Sequence, residues 1–416
     1  VTTHEWLERL GRKPPALHCR LRLDDPDSYL LVQLLPDLLD HYPLSLEFSL
    51  LPAGRELPAH ALADAWLQAQ RLQLDFHSLT PPAPEDCRLA ERILMAATHL
   101  PEPDRLILMR QLLACVWNRQ HGKLETLALR FPPLDPDNAL DTLRAWSAAD
   151  VGGDGATVVR FRGEEFLAPD ELPELISLLE DSGLNRLDHC PAVAAPYRPD
   201  HGFLVTDSDQ LTRIRAHRYR LDFYFCFCDP YSYLGFDGLL RLADHYSLRL
   251  SLQPVLLPRS EAVAALTLPP AGLLWRSARH AGLRDQDYGD ICLPDAHGLR
   301  HCHALIAFAA RHGMERRMAE CLLAGIWTQG RDMSYKPHLR AMLREAGFRR
   351  ESLEAALAAN GADTIGDTHR RWRALGATAL PCLVLDTGRQ RLLGGKDRLW
   401  ALDMLLADTL NNNNSE

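Results

Sequence analysis

The chain has no Cys-x-x-Cys anywhere, although it carries ten cysteines, at 19, 87, 115, 190, 226, 228, 292, 302, 321 and 382. Disulfide exchange needs a resolving thiol beside the attacking one, so that spacing argues against a dithiol oxidoreductase of the usual kind. The cysteines follow no framework spacing and most sit inside apolar patterns, where a reduced thiol packs as a small hydrophobe. No apolar run approaches the roughly 20 residues of a membrane span. Excess positive charge is also lacking: 46 basic against 55 acidic residues give a net charge of −9, which leaves no electrostatic footprint for nucleic acid or an anionic membrane. The amphipathic stretch from Val1 to Leu10 contains acidic residues, unlike a signal peptide, and with the reduced cysteines it predicts a cytoplasmic protein.

What the chain does have is 416 residues at 46% hydrophobic and 24% charged, enough for two or three ordinary globular domains. It also has an internal repeat. Residues 25–46 align without gaps on residues 229–250 at an offset of 204, with 12 of 22 positions identical, where unrelated segments would share about one or two. Leu112 to Trp117 pairs with Leu322 to Trp327 at an offset of 210. Each half reads as strand, helix, strand, a helical stretch, then a strand pair and a final helix. The second strands, Leu44 to Leu51 and Leu248 to Gln253, alternate as half-buried strands do. These signals predict an α/β chain of two tandem domains, 17–182 and 217–410. A polar, proline-bearing linker would span 183–216, and 411–416 would form a structureless tail.

The C-terminal half is organised around residues 220–240. Alternating aromatics predict a buried strand that carries Cys226 and Cys228, and Asp229-Pro230 opens a helix with Leu234, Leu239 and Leu242 on its apolar face. A helix N-terminus that follows a strand stabilises anions. Asp followed by Pro is also simply a good pair for capping and starting a helix, and Asp25-Pro26 repeats it.

Cys-Asp-Pro-Tyr-Ser-Tyr-Leu-Gly-Phe resembles the start of the DsbA-like thioredoxin-fold family, in its branch of kappa-class glutathione transferases and 2-hydroxychromene-2-carboxylate isomerases. The resemblance implies two tandem thioredoxin-like folds, each with a DsbA-type all-helical insertion. That insertion would cover His301 to His312, Glu315 to Trp327 and Pro337 to Gly347 in the second copy. It further implies that Asp229, Tyr231, Ser232 and Cys228 stand at the reactive position. The family's Ser or Cys is replaced by Asp229, and two anions about 4 Å apart repel by roughly 4 kcal/mol at an effective dielectric of 20.

Ala379-Leu-Pro381 corresponds to the family's cis-proline loop, with Leu380 presenting its backbone to a bound peptide and Cys382 next to the pocket. Gly395-Lys-Asp-Arg398 corresponds to its Gly-x-Asp-Arg, in which Lys396 and Asp397 would hold the γ-glutamyl end of glutathione. The family's Asn-x-Pro-Pro loop has only Leu268-Pro-Pro270 as a remnant. Cys292, His297, His301, Cys302 and His303 fit no ligand spacing, so no metal is expected. The first copy has Asp27 for the tyrosine, lacks the proline of the 380–381 pair, and has Ala168-Pro-Asp-Glu-Leu172 for the anchor. The implied function is a glutathione-dependent isomerase or transferase acting on a small-molecule or peptide thiol ligand. The alternative is a thioredoxin-fold binding protein without turnover, with the two copies packed as an intrachain pseudo-dimer.

Overall fold

The computed structural model describes residues 13–149 apart from 55 and 59, then 156–185, 202–256, 270–349, 352–358, 362–377 and 379–412. Residues 186–201 of the expected linker, Cys190 among them, Leu268-Pro269 and the end of the tail lie outside the described residues. The chain divides into compact units at 1–196 and 197–416.

In the N-terminal unit, β1 (Ala16–Leu21) runs parallel to β2 (Ser45–Leu50) and antiparallel to β3 (Val158–Phe161), which turns into β4 (Glu164–Leu167). The strand order is β2-β1-β3-β4. The crossover from β1 to β2 is α1 (Pro26–His41), whose apolar residues are buried. The helices α2 (Ala61–Leu72), α3 (Pro84–Ala96), α4 (Glu102–Trp117), α5 (His121–Arg130) and α6 (Pro136–Ala149) stand between β2 and β3, and α7 (Leu172–Asp181) closes the unit.

The C-terminal unit begins with α8 (Ser208–His217), inside the span expected to be a linker. Asp207 caps it through the amides of Asp209 and Gln210, and Leu211 and Ile214 bury its inner face. Next comes a sheet in the order β6-β5-β7-β8, formed by β5 (Arg220–Phe225), β6 (Arg249–Pro254), β7 (Cys382–Asp386) and β8 (Gln390–Gly394). Again β5 pairs parallel with the second strand and antiparallel with the third. The aromatic alternation of β5 dresses both sheet faces. Phe223 and Phe225 stack at 5.2 Å on one face beneath Phe236, while Tyr224 joins Val384, Cys382 and Trp372 on the other.

The predicted single helix after Asp229 is two helices. They are α9 (Pro230–Leu234) and α10 (Phe236–His245), which meet at Gly235, where a Cβ would lie 3.2 Å from the Tyr231 carbonyl oxygen. Leu234, Leu239 and Leu242 are buried as expected. The helical stretch comprises α11 (Pro270–Leu283), α12 (Ala296–Ala310), α13 (Glu315–Trp327), α14 (Lys336–Glu345), α15 (Ser352–Ala358) and α16 (Ala362–Ala374), and α17 (Leu399–Asn412) ends the unit. Tyr246 donates its hydroxyl to buried Asp403, which joins the end of α10 to α17.

No described helix is long and apolar enough to cross a membrane. Among the described residues no group of His, Cys, Asp or Glu is arranged to hold a metal ion. His303 is instead a buried side chain set edge-on to Phe227, and burial pushes its pKa down to about 4.

Candidate functional site

The site starts where β5 stops. Cys226 lies one residue past the strand, and the Asp229 amide donates to the Cys226 carbonyl at 3.1 Å, so residues 226–229 form a tight turn. The expectation that Cys226 and Cys228 share a strand face is therefore wrong. Pro230 suits the first helical position after the turn, with its fixed φ and no amide donor to leave unpaired. Trp327, fully buried at the end of α13, donates its indole N–H to the Phe227 carbonyl at 3.2 Å and pins the turn from outside.

Asp229 is the N-cap of α9, with one oxygen, Oδ2, accepting from the Ser232 amide at 2.7 Å and from the Ser232 hydroxyl at 2.5 Å. Ser232 in turn accepts from the Cys226 amide at 3.2 Å and is inaccessible to solvent. These two residues thus form a closed internal ring. Oδ1 of Asp229 is buried and has no hydrogen-bond partner among the described residues. Burial pushes the Asp229 carboxyl up to about 7 against the opposing hydrogen bonds from Ser232 and the Tyr231 backbone. The group therefore shares its charge with a neutral form near neutrality, which softens the repulsion expected from a permanent carboxylate.

Tyr231, Pro381 and Asp397 line one narrow cleft together with His280, Arg284 and Arg398. It holds about 20 Å³, room for one water. The Tyr231 ring receives His280 edge-on at 5.6 Å, and Lys396 Nζ lies 5.2 Å from its centroid. Asp397 adopts left-handed backbone geometry at φ 52° and is ion-paired to Arg284, with 14% and 7% of the two side chains exposed. It does not cap α17, which starts two residues later. Both members of the pair expected to hold glutathione, Lys396 and Asp397, are therefore engaged by protein groups.

The Leu380–Pro381 bond is cis. Pro381 accepts from the Gly395 amide at 3.0 Å, whereas Leu380 makes no backbone hydrogen bond among the described residues. Its side chain belongs to a cluster with Cys226, Cys382 and Trp372, against which Cys228 packs. Cys382 is 1% exposed and burial raises its thiol to about 12, so it does not face the cleft as expected.

The eight sequence-selected residues thus separate into three places. Tyr231, Pro381 and Asp397 line the cleft with Lys396 against the Tyr231 ring, Asp229 and Ser232 close the cap of α9, and Cys228 and Leu380 meet at the Trp372 cluster. His280 and Arg284 were missed, although Arg276, His280 and Arg284 recur every four residues, a spacing that puts them on one helix face.

The corresponding turn of the N-terminal unit is also closed. Arg22 donates its amide to Ser28 Oγ at 2.9 Å, and Asp25 caps α1 through the Asp27 amide. Thr157, immediately before β3 where Pro381 stands before β7, donates to Asp25 Oδ2 at 2.7 Å and lies 2.6 Å from Ser28 Oγ. This unit does contain a cis X-Pro bond, Ala168–Pro169, which was not anticipated, but it follows β4.

Residues 220–407 match the family model of the DSBA-like thioredoxin domain. No curated protein matches the chain. Among solved structures, 2-hydroxychromene-2-carboxylate isomerase aligns at 19% identity with a TM-score of 0.40, over 47% of this chain and 98% of that one. The cytosolic disulfide reductase DsbM from Pseudomonas aeruginosa aligns at 19% identity and a TM-score of 0.37, over 47% and 100%. The same enzyme solved with GSH aligns at 17% identity and a TM-score of 0.37, over 47% and 100%. Residues 220–407, the greater part of the C-terminal unit, are a DsbA-like thioredoxin domain.

Proposed function

We propose that the C-terminal unit binds the extended backbone of a small acidic thiol peptide, glutathione among them, and does not activate a thiol at the start of α9. The observation that carries this reading is the Asp229–Ser232 ring, in which the family's reactive position is filled by an internal carboxyl that already takes up the Ser232 amide and hydroxyl. Supporting it, among the described residues Leu380 keeps its backbone N–H and C=O without protein partners beside cis-Pro381, Arg398 lines the adjoining cleft, and Lys396 Nζ stands over the ring of Tyr231 at its side. A cleft of about 20 Å³ cannot enclose a tripeptide, so one end of the ligand enters it and the backbone lies along Leu380.

The test is calorimetric titration with glutathione, combined with hydrogen exchange at the Leu380 amide. Binding that slows exchange at Leu380 and is weakened in Lys396→Gln supports the reading. Absence of binding, or binding that leaves the Leu380 amide unprotected, overturns it.

A second reading, a glutathione-dependent isomerase or transferase, is favoured by one observation. A carboxyl held at about 7 with a free buried oxygen has the proton affinity of a general base for a thiol. In that case Asp229→Asn keeps glutathione binding and loses turnover of an aromatic isomerase substrate.

We further infer that the N-terminal unit is a degenerate second copy of the same domain. The support is the 12 identities across residues 25–46 and 229–250 and the common order of strands in the two sheets.

A further inference from the structure

Two cysteines sit just before Asp229, in the turn and against the Leu380 cluster. An extended i, i+2 pair spans about 6.6 Å between Cα atoms, at the outer edge of the roughly 4.4–6.8 Å that a disulfide tolerates. The 226–229 turn shortens that span. Cys226 Sγ accepts from the Cys228 amide at 3.4 Å, which brings the two residues together across the turn, while the Cys228 thiol itself donates to the Pro294 carbonyl at 3.8 Å. Both are free thiols, Cys226 buried and Cys228 partly exposed. Cys228 packs on the Leu380 cluster, so the more accessible sulfur adjoins the cis-proline loop.

We propose that Cys226 and Cys228 form a redox-active dithiol that exchanges with low-molecular-weight disulfides. The Cys228 thiolate attacks one sulfur of R–S–S–R; a Cys228–S–R bond forms, the S–S bond breaks and RS⁻ departs. Cys226, after its proton passes to solvent, attacks Cys228 Sγ, forms the intramolecular disulfide and expels the second RS⁻. Two electrons move from the protein dithiol to the disulfide, and the two protons end on two RSH. The adjacent Cys228 and burial hold the Cys226 thiol well above its ordinary pKa. The second step is therefore the slow one, and it accelerates about tenfold per pH unit while Cys226 remains protonated.

The experiment incubates the full chain with bis(2-hydroxyethyl) disulfide, then alkylates and digests it with trypsin. This neutral probe does not depend on the acidic-peptide site, so failure of glutathione binding leaves the outcome unaffected. Cys226 and Cys228 fall in one tryptic peptide, Leu221 to Arg241. The expected result is that peptide unalkylated and 2 Da lighter. Cys226→Ser keeps one 2-hydroxyethylthio group on Cys228 as a mixed disulfide, and Cys228→Ser loses both products. Two alkyl groups on the wild-type peptide at every probe concentration that leaves the fold intact, or Cys228 bridged to another cysteine such as Cys382, overturns the proposal. Should Cys226→Ser fail to fold, the wild-type peptide mass and Cys228→Ser decide it.

Discussion

Arg284, just beyond α11, and Asp397, just before α17, form an ion pair with 7% and 14% of their side chains exposed. Removing one partner of such a pair strands the other charge, at a cost of about 3–5 kcal/mol, whereas replacing both with apolar groups is often close to neutral. Asp397→Ala is therefore expected to lower the urea midpoint substantially, and Arg284→Met with Asp397→Leu to recover most of the loss. A double variant as unstable as the two single variants added together would contradict this coupling. Loss of ligand binding in Asp397→Ala would, for the same reason, report instability as readily as a missing contact.

The Asp229 carboxyl gives a pH signature. Its pKa in the folded chain, about 7, lies above the unfolded value near 3.9. Between these values the folded state binds more protons than the unfolded one, so Asp229 lowers stability as pH rises from about 4 to 7, and the cost is complete above that. A shift of three pKa units corresponds to at most about 4 kcal/mol. Asp229→Asn does not titrate. Its unfolding free energy is expected to gain on wild type through that window, measured by urea unfolding at pH 5, 6, 7 and 8. A difference that stays flat across the series would rule out the buried titration.

Ser232→Ala should destabilise through the backbone. It leaves the buried Cys226 amide without an acceptor and takes one of the two donors from Asp229 Oδ2. The expected loss is about 1–3 kcal/mol. Ser28→Ala should do the same in the N-terminal unit, where the Arg22 amide is the orphan. Thermal unfolding of both variants checks this, and a melting temperature unchanged in either would contradict the assigned roles.

Lys396 lies over the Tyr231 ring at 5.2 Å and is 7% exposed. Lys396→Met keeps the aliphatic stem and loses the cation–π attraction, about 0.5–2 kcal/mol. Tyr231→Phe keeps the π face and should be nearly neutral, whereas Tyr231→Leu should match Lys396→Met. Equal losses in Phe and Leu variants would place the effect on the Tyr231 hydroxyl instead.

Much of the C-terminal domain was legible because local signals agreed with the fold. The aromatic alternation of 221–225 marked β5, Asp229-Pro230 marked a helix start, and the apolar leucines marked its inner face. The break at Gly235 was not legible, because it depends on a close approach to the Tyr231 carbonyl oxygen that leaves no trace in periodicity. Reading Cys226 to Cys228 as strand failed for a related reason. Apolar alternation continues through Phe227, but the chain turns over 226–229 before the helix, and that turn decides whether the two sulfurs lie apart or together. Arg284 was missed because its partner Asp397 is more than a hundred residues away, and only the fold joins them.

Thr157 has a consequence for how the N-terminal unit can change. Its hydroxyl is bonded to Asp25 and sits against Ser28, so a proline at 157 would deprive two buried polar groups of a partner at once. Replacing Asp25 alone would leave Thr157 and Ser28 facing a gap. Every single step toward an open loop at this end of β3 thus passes through a less stable protein, and the shortest passable route changes at least two residues together. The closed turn is held shut by mutual dependence among its side chains, which makes the N-terminal unit a poor starting point for acquiring a ligand site by gradual substitution.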